Sequence, residues 1–288
     1  MRFTGVMNDI MCIRQFASIV NAVARLSKTC VLRITATHLY LIANEAGIVN
    51  SSPGLWAELD QGHFFNVFNM GGVSEENNEI FLEMEPDTLS KTLSSFTSTQ
   101  TAARFLKIKL TKKHSPCLTL EVELPSLSVH ARIVVHDVPV RPLPRRQWSL
   151  YQEPEMPQCD TSLYLPPLKQ LRHVVERMKT QASHITLAGN RRGTLVLSMS
   201  TDTVTVSTYF RHLSMPTWDR DDGGREGEPE ELRSATVDIK RLALFLTGEQ
   251  IGPSKVICNI VEGRLIHMFL LHEDVTLQYF LPAATNVY

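Results

Sequence analysis

The sequence predicts an α+β protein built from two tandem copies of one domain. Three observations carry that expectation. The chain restates one pattern about 150 residues apart, and a long-period repeat fixes architecture before any motif is read. Val23-Ala24-Arg25-Leu26-Ser27-Lys28-Thr29 closes an amphipathic segment ahead of the β-rich Cys30-Val31-Leu32-Arg33-Ile34. Val175-Glu176-Arg177-Met178-Lys179-Thr180 closes a second one ahead of Ile185-Thr186-Leu187. The length, 288 residues with 43% hydrophobic, suits two ordinary cores at about 100–200 residues per domain. Between the halves stand Pro139, Pro142, Pro144, Pro154 and Pro157, which cannot continue a central strand or helix. The expected division is an N-terminal domain over 1–137, a stiff Pro-rich connecting linker over 138–158 and a C-terminal domain over 159–288. A polar insertion interrupts the last at about 214–233.

In the first half, a helix is expected from about Ile10 to Lys28. At 100° per residue Ile13, Phe16, Ile19, Val20, Val23 and Leu26 gather on one side, and Arg14, Ser18, Asn21, Arg25 and Lys28 on the other. Strands are expected at 30–35, 38–43 and 55–60, then at 79–83 after a loop containing Gly71-Gly72. Pro86-Asp87 suits the first turn of a short helix, because Pro needs no donor there and acids favour the positive end. That helix buries Leu89, Leu93 and Phe96, while Lys91, Ser94, Ser95 and Ser98 project away. Strands follow at 105–110, 117–124 and 130–135, with Lys112-Lys113-His114 at a hairpin turn.

The second half repeats the plan. A strand at 161–165 leads to Pro166-Pro167 and a helix reaching about Lys179, with Leu168, Leu171, Val174, Val175 and Met178 as its buried stripe. Lys169, Arg172, His173, Glu176 and Lys179 lie largely away from it. Strands are expected at 184–188, 194–199, 203–210 and 235–239, a helix at 240–246 ended by Gly248, and strands at 255–260, 265–271 and 275–281. The intervening 219–231, rich in Gly and acid, reads as a surface insertion.

Composition excludes several classes. Net charge is −1, so basic function must come from placement rather than excess. The N-terminus lacks signal organisation and no apolar run approaches the roughly 18 residues of a membrane span, so no membrane is expected and the chain reads as soluble and intracellular. Cys12, Cys30, Cys117, Cys159 and Cys258 are scattered and odd in number, which suits reduced, packed thiols of nucleus or cytosol. There is no phosphate-cradling loop, no G-x-S-x-G and no H-E-x-x-H, and no metal or cofactor is expected. His272-Glu273-Asp274 falls at an expected turn, where polar residues are ordinary. Asp219-Arg220-Asp221-Asp222-Gly223 resembles a calcium loop only faintly, with the wrong spacing. Pro139-Val140-Arg141-Pro142 has the P-x-x-P form of an SH3 ligand, a pattern common by chance, and a plain linker is the preferred reading.

Basic and small polar residues opposite the core stripe of several helices remain. On one helix this is a solvated face; repeated on helices that a repeat brings to one surface, it suits a phosphate backbone. Aromatics are not interleaved there, which argues against stacking on single-stranded bases. Duplex DNA held without sequence specificity is the expected ligand, with Arg14, Arg25, Lys28, Lys91, Lys169, Arg172, Lys179 and Lys240 facing it.

The chain also resembles a known family. The residues that carry the likeness are Arg25-Leu26-Ser27-Lys28-Thr29-Cys30, Gly72-Val73-Ser74-Glu75-Glu76-Asn77-Asn78-Glu79-Ile80 and Leu106-Lys107-Ile108-Lys109-Leu110-Thr111, then Val134-Val135-His136-Asp137-Val138-Pro139, Val174-Val175-Glu176-Arg177-Met178-Lys179 and Cys258-Asn259-Ile260-Val261. The run from Leu271 to Pro282 completes them. They resemble the Hus-one family of the heterotrimeric nine-one-one checkpoint clamp, within the sliding DNA clamps.

The resemblance implies two clamp domains with helices lining an inner face and antiparallel sheets outside. It implies a 1:1:1 ring with Rad-nine-type and Rad-one-type subunits, set on double-stranded DNA by a checkpoint clamp loader, recruiting repair enzymes to its outer face, in the nucleus with some cytoplasmic pool. Such a protein is not an enzyme. Rings of this kind close by edge-strand addition, so the expected interface strands are Ser128–His136 and Thr203–Arg211. Their carriers would be Ser128, His130, Arg132, Val134 and His136 on one edge, and Thr203, Thr205, Ser207, Tyr209 and Arg211 on the other. Leu143, Phe280 and Pro282 would wall a pocket for partner peptides. The alternatives are a homotrimeric replicative clamp of the same architecture and, remotely, a hydrolase using His136-Asp137 or His272-Glu273.

Overall fold

A computed structural model of the chain describes residues 1–44, 53–97, 103–124, 132–155, 158–217 and 230–284. The chain divides into two compact units between Glu153 and Pro154. The first begins with a strand that the sequence reading missed, β1 (Arg2–Met7), whose alternate residues Phe3, Gly5 and Met7 point inward. Gly5 has a steric reason: a Cβ there would come within 2.6 Å of the Phe65 ring. Helix α1 (Ile10–Leu26) is opened by Asp9, whose carboxylate accepts from the Met11 N–H and so satisfies one orphan donor. It buries Cys12, Ile13, Phe16, Ile19, Val20, Ala22 and Val23. Fully burying a large aliphatic side chain stabilises by about 1.5–3 kcal/mol, far more than the cap. The helix stops at Leu26 because Ser27 turns extended (φ −142°, ψ 144°), so Lys28 lies in the following turn and not on the helix.

Strands β2 (Cys30–Ile34), β3 (His38–Asn44) and β4 (Pro53–Asp60) follow. A single helical turn, α2 (Gln61–Phe64), and β5 (Val67–Gly71) occupy the stretch expected to be loop. Short length and weak alternation hid β5, which is fixed by its pairing to β1. Next come β6 (Ile80–Met84), α3 (Pro86–Thr97), β7 (Phe105–Lys112), β8 (Pro116–Leu124) and β9 (Arg132–Pro139).

The proline-rich segment is not a free linker throughout. β9 continues to Pro139, β10 (Arg141–Pro142) pairs with β6, and residues Arg145–Tyr151 form 3-10 turns. Trp148 stacks on Phe81 at 4.6 Å, and its Nε1–H donates to the Leu143 carbonyl at 3.1 Å. A single nitrogen of Arg141, Nη2, donates to both carboxylate oxygens of Glu83, at 2.6 and 2.7 Å. Proline barred regular structure here in the sequence reading; it does not bar a strap held by an indole. Within this unit the sheets run β5-β1-β7-β8-β9 and β10-β6-β2-β3-β4, all neighbours antiparallel.

The second unit repeats the plan with β11 (Thr161–Tyr164), α4 (Leu168–Met178), β12 (His184–Gly189), β13 (Leu195–Ser200), β14 (Thr205–Phe210), β15 (Arg233–Asp238) and α5 (Ile239–Leu246). Then come β16 (Lys255–Val261), β17 (Leu265–His272) and β18 (Val275–Pro282). Its sheets run β14-β13-β12-β15 and β18-β17-β16-β11. Asp238 caps α5 by accepting from the Lys240 and Arg241 N–H groups. Gly248 does not end that helix. The chain tightens into 3-10 turns over Thr247–Ile251, and the left-handed residue that releases it is Gly252 (φ 72°), a conformation that favours glycine. Arg233 already belongs to β15, and 218–229 of the polar insertion lie outside the described residues.

Candidate nucleic-acid and subunit interfaces

The cations on the helices are sorted by what each helix buries. On α1, Arg14 is half-buried and Arg25 exposed, on the side opposite the apolar stripe and in line with Met11, Ser18 and Asn21. On α3, the only charged side chains are Asp87 and Lys91, one turn apart and paired at 2.6 Å. That pair is fully accessible to salt and offers little net charge to a ligand. On α4, the buried residues are Leu168, Leu171, Val175 and Met178. The direction opposite them is held by Lys169, His173 and Arg177, all exposed. Arg172 and Lys179, which the sequence reading placed on that face, are half-buried on its flanks, and Lys179 is paired with Glu176 at 2.5 Å. Arg177, absent from the expected set, shares this face through its spacing of eight from Lys169. On α5, Lys240 is exposed in the first turn.

Among the described residues, the four α-helices longer than one turn carry eight Lys or Arg and two Asp or Glu. Their net charge is therefore +6, and the rest of a chain whose total is −1 carries −7.

The strands expected at subunit boundaries are edges. Among the described residues β9 pairs only with β8, and β14 only with β13. Their outer hydrogen-bonding sides are thus open, which natural sheets tolerate poorly unless something pairs there. The face the strand offers differs from expectation in parity. Ile133 and Val135 are 59% and 52% exposed, whereas Val134 and His136 are half-buried, with the His136 ring 6.3 Å from that of Phe96. Arg132 is exposed; Ser128 and His130 lie outside the described residues. On the other edge Tyr209 is 58% exposed with the Arg211 guanidinium 5.9 Å from its ring centroid. Thr205 and Ser207 are exposed on β14, while Thr203 precedes the strand and Arg211 follows it.

Leu143 is buried in the first unit with Val31, Phe81 and Trp148. In the second unit Phe280 is buried and stacked on His267 at 4.3 Å, and Pro282 is half-buried at the end of β18. His267 itself is inaccessible. Gln278 Oε1 lies 3.2 Å from Nε2 and Asn259 Nδ2 lies 2.9 Å from Nδ1. An amide oxygen can only accept, so Nε2 carries the proton and Nδ1 accepts from Asn259. Burial pushes the His267 pKa down to about 4, partly opposed by the bond to Gln278.

None of this arrangement resembles an active site. His136 and Asp137 are adjacent in a strand and point to opposite faces; Asp137 is held by Lys113 and Thr119, each at 2.6 Å. Those two bonds depress its pKa. His272-Glu273-Asp274 spans the turn between β17 and β18. The Cys30 and Cys258 thiols are pushed up to about 12 by burial, so neither supplies thiolate at neutral pH. Among the described residues no group of His, Cys, Asp or Glu is arranged to hold a metal ion, and no helix is long and apolar enough to cross a membrane.

Comparison with known proteins agrees with this geometry. Among solved structures, the proliferating cellular nuclear antigen of Entamoeba histolytica superposes with a TM-score of 0.69 at 11% identity, covering 98% of this chain and 99% of that one. The corresponding protein of Thermococcus kodakaraensis gives 0.66 at 14%, over 98% and 99%. At such identities the likeness fixes the fold, that of the sliding clamps. Among curated proteins, the human "Checkpoint protein HUS1" is 44% identical over 98% of this chain and 99% of its own length. The Drosophila melanogaster "Checkpoint protein Hus1-like" is 27% identical over 98% and 99%. The family model described as Hus1-like protein matches residues 1–285. The family-model match over residues 1–285 and the 44% identity to the human relative over nearly the whole length place this sliding-clamp chain in the Hus1-like family.

Proposed function

We infer that the chain is a non-catalytic subunit of a ring-shaped DNA-damage checkpoint clamp, which encircles the duplex and recruits checkpoint-signalling and repair factors. The observation that carries this reading is the pair of open edges, β9 and β14, on a Hus1-like chain. One edge closes nothing; two edges of one chain, each taking a neighbour's strand, generate a ring if the rotation closes. The neighbours are a Rad-nine-type and a Rad-one-type clamp subunit in a 1:1:1 ring, and a dedicated loader opens it. The helices then hold phosphates by charge without reading base edges, so that the ring is retained on DNA and free to slide. Repair enzymes dock on the outer face; Leu143 and Phe280, expected to wall a pocket for partner peptides, are instead buried core residues. The protein works in the nucleus, with some cytoplasmic pool.

The test is native mass spectrometry of the complex drawn from nuclear extract through this chain. A one-to-one-to-one assembly with two different clamp-like proteins is expected. An assembly of three identical 32.5 kDa chains would transfer the reading to a homotrimeric clamp, and a lone monomer would refute the ring.

A further inference from the structure

The two units are unequally equipped to hold a polyanion. Helices α1 and α3 together carry three cations and one acid, and one of those cations, Lys91, is spent on Asp87 within its own helix. Helices α4 and α5 carry five cations and one acid over fewer residues. Arg14 and Arg25 stand three turns apart on α1, with Ser18 and Asn21 between them. Lys169, His173 and Arg177 instead follow one another at every fourth position, a step of about 6 Å along the helix axis. Leu171 and Val175 of α4 and Leu242 and Leu246 of α5 line one apolar interior together with Leu187 and Leu197 of the sheet. The two helices therefore bury neighbouring faces, and their polar faces turn to the same side.

We propose that the second unit supplies most of this subunit's grip on duplex DNA, through Lys169, Arg177 and Lys240, with the exposed His173 between the first two. The first unit's helices act mainly as a spacer, polar enough to stay solvated and too weakly charged to bind. This rests on the reading that the helix faces meet DNA, and it gives that contact a side. The subunit thus holds the double helix mainly through α4 and α5.

Two matched variants decide it, each losing three exposed or partly exposed cations and each purified as the assembly that this chain forms. One is Lys169→Gln, Arg177→Gln, Lys240→Gln; the other is Arg14→Gln, Arg25→Gln, Lys91→Gln. Binding to a short duplex of random sequence is measured across about 50 to 200 mM salt. Each phosphate neutralised contributes about 0.9 to the slope of log affinity against log salt. The first variant is expected to flatten that slope by about 2.7, and the second by about 0.9 or less. The charge-preserving Lys169→Arg, Arg177→Lys, Lys240→Arg restores the slope and separates lost charge from a damaged fold. Equal losses in both variants, or a larger loss in the second, would overturn the asymmetry while leaving DNA as the ligand. No loss in either would overturn the DNA-facing reading as well.

Discussion

His267 makes the stability of the second unit depend on pH in a way that one substitution isolates. The imidazole is buried between Asn259 and Gln278, neutral, with its pKa pushed down to about 4. In the unfolded chain a histidine titrates near 6.5. Between those values the unfolded state binds a proton that the folded state refuses, so stability rises with pH across the window. The contribution is fully present above about 6.5 and is lost progressively as pH falls toward 4. Applying about 1.36 kcal/mol per pKa unit, acidification from pH 7 to pH 5 removes roughly 2 kcal/mol through this group alone.

The assay is urea unfolding at both pH values for the wild-type chain and for His267→Gln, which keeps a hydrogen-bonding side chain without the titration. All other pH-dependent terms are common to both proteins and cancel in the comparison. The variant starts less stable at pH 7, since Asn259 and Gln278 must find new geometry, and the gap between the proteins narrows by about 2 kcal/mol at pH 5. A gap that is the same at both pH values refutes the argument, as does an NMR titration placing His267 near its ordinary pKa.

Two further outcomes follow from other contacts. Trp148→Ala removes the indole from Phe81 and the donor from the Leu143 carbonyl. It is expected to cost about 3 kcal/mol and to open the Arg145–Tyr151 turns to limited proteolysis while the helices keep their circular dichroism. Replacing exposed Ile133 and Val135 together by Lys charges an open edge. Folding of the lone chain stays within about 0.5 kcal/mol, as surface changes usually do, while copurified partners are lost in size-exclusion chromatography; partner retention at wild-type level would remove β9 from the interface.

What the sequence disclosed, and what it hid, has a physical division. Long amphipathic segments such as Ile10–Leu26 and Leu168–Met178 declare themselves, because the apolar period is repeated several times before it ends. Their boundaries are less legible: Lys28 sits one residue past Ser27, where local backbone geometry and not periodicity stops the helix. β1 and β5 escaped because each is short and is defined by a partner distant in sequence. The strap at Arg145–Tyr151 escaped because Trp148 finds its place only through Phe81, far back in the chain. On the interfaces, residue types were legible and their directions were not. Parity on β9 favours Ile133 and Val135 over Val134 and His136, and a shift of one residue reverses the face of a strand. Arg177 belongs with Lys169 and His173 by a spacing of four, a periodicity that clustering in the sequence does not display.

The sorting of charge, +6 on the helices against −7 elsewhere, bears on selectivity of contact more than on strength. A uniformly basic protein of this size would adhere to any nucleic acid it met, by any side, and chromatin or RNA would titrate it away. Here the sheets and loops repel a polyanion while the helix faces attract it, so random collision is mostly unproductive. On the proposed DNA-facing reading, adhesion is confined to a duplex presented to the helix faces, and the charge pattern works as a filter against stray capture.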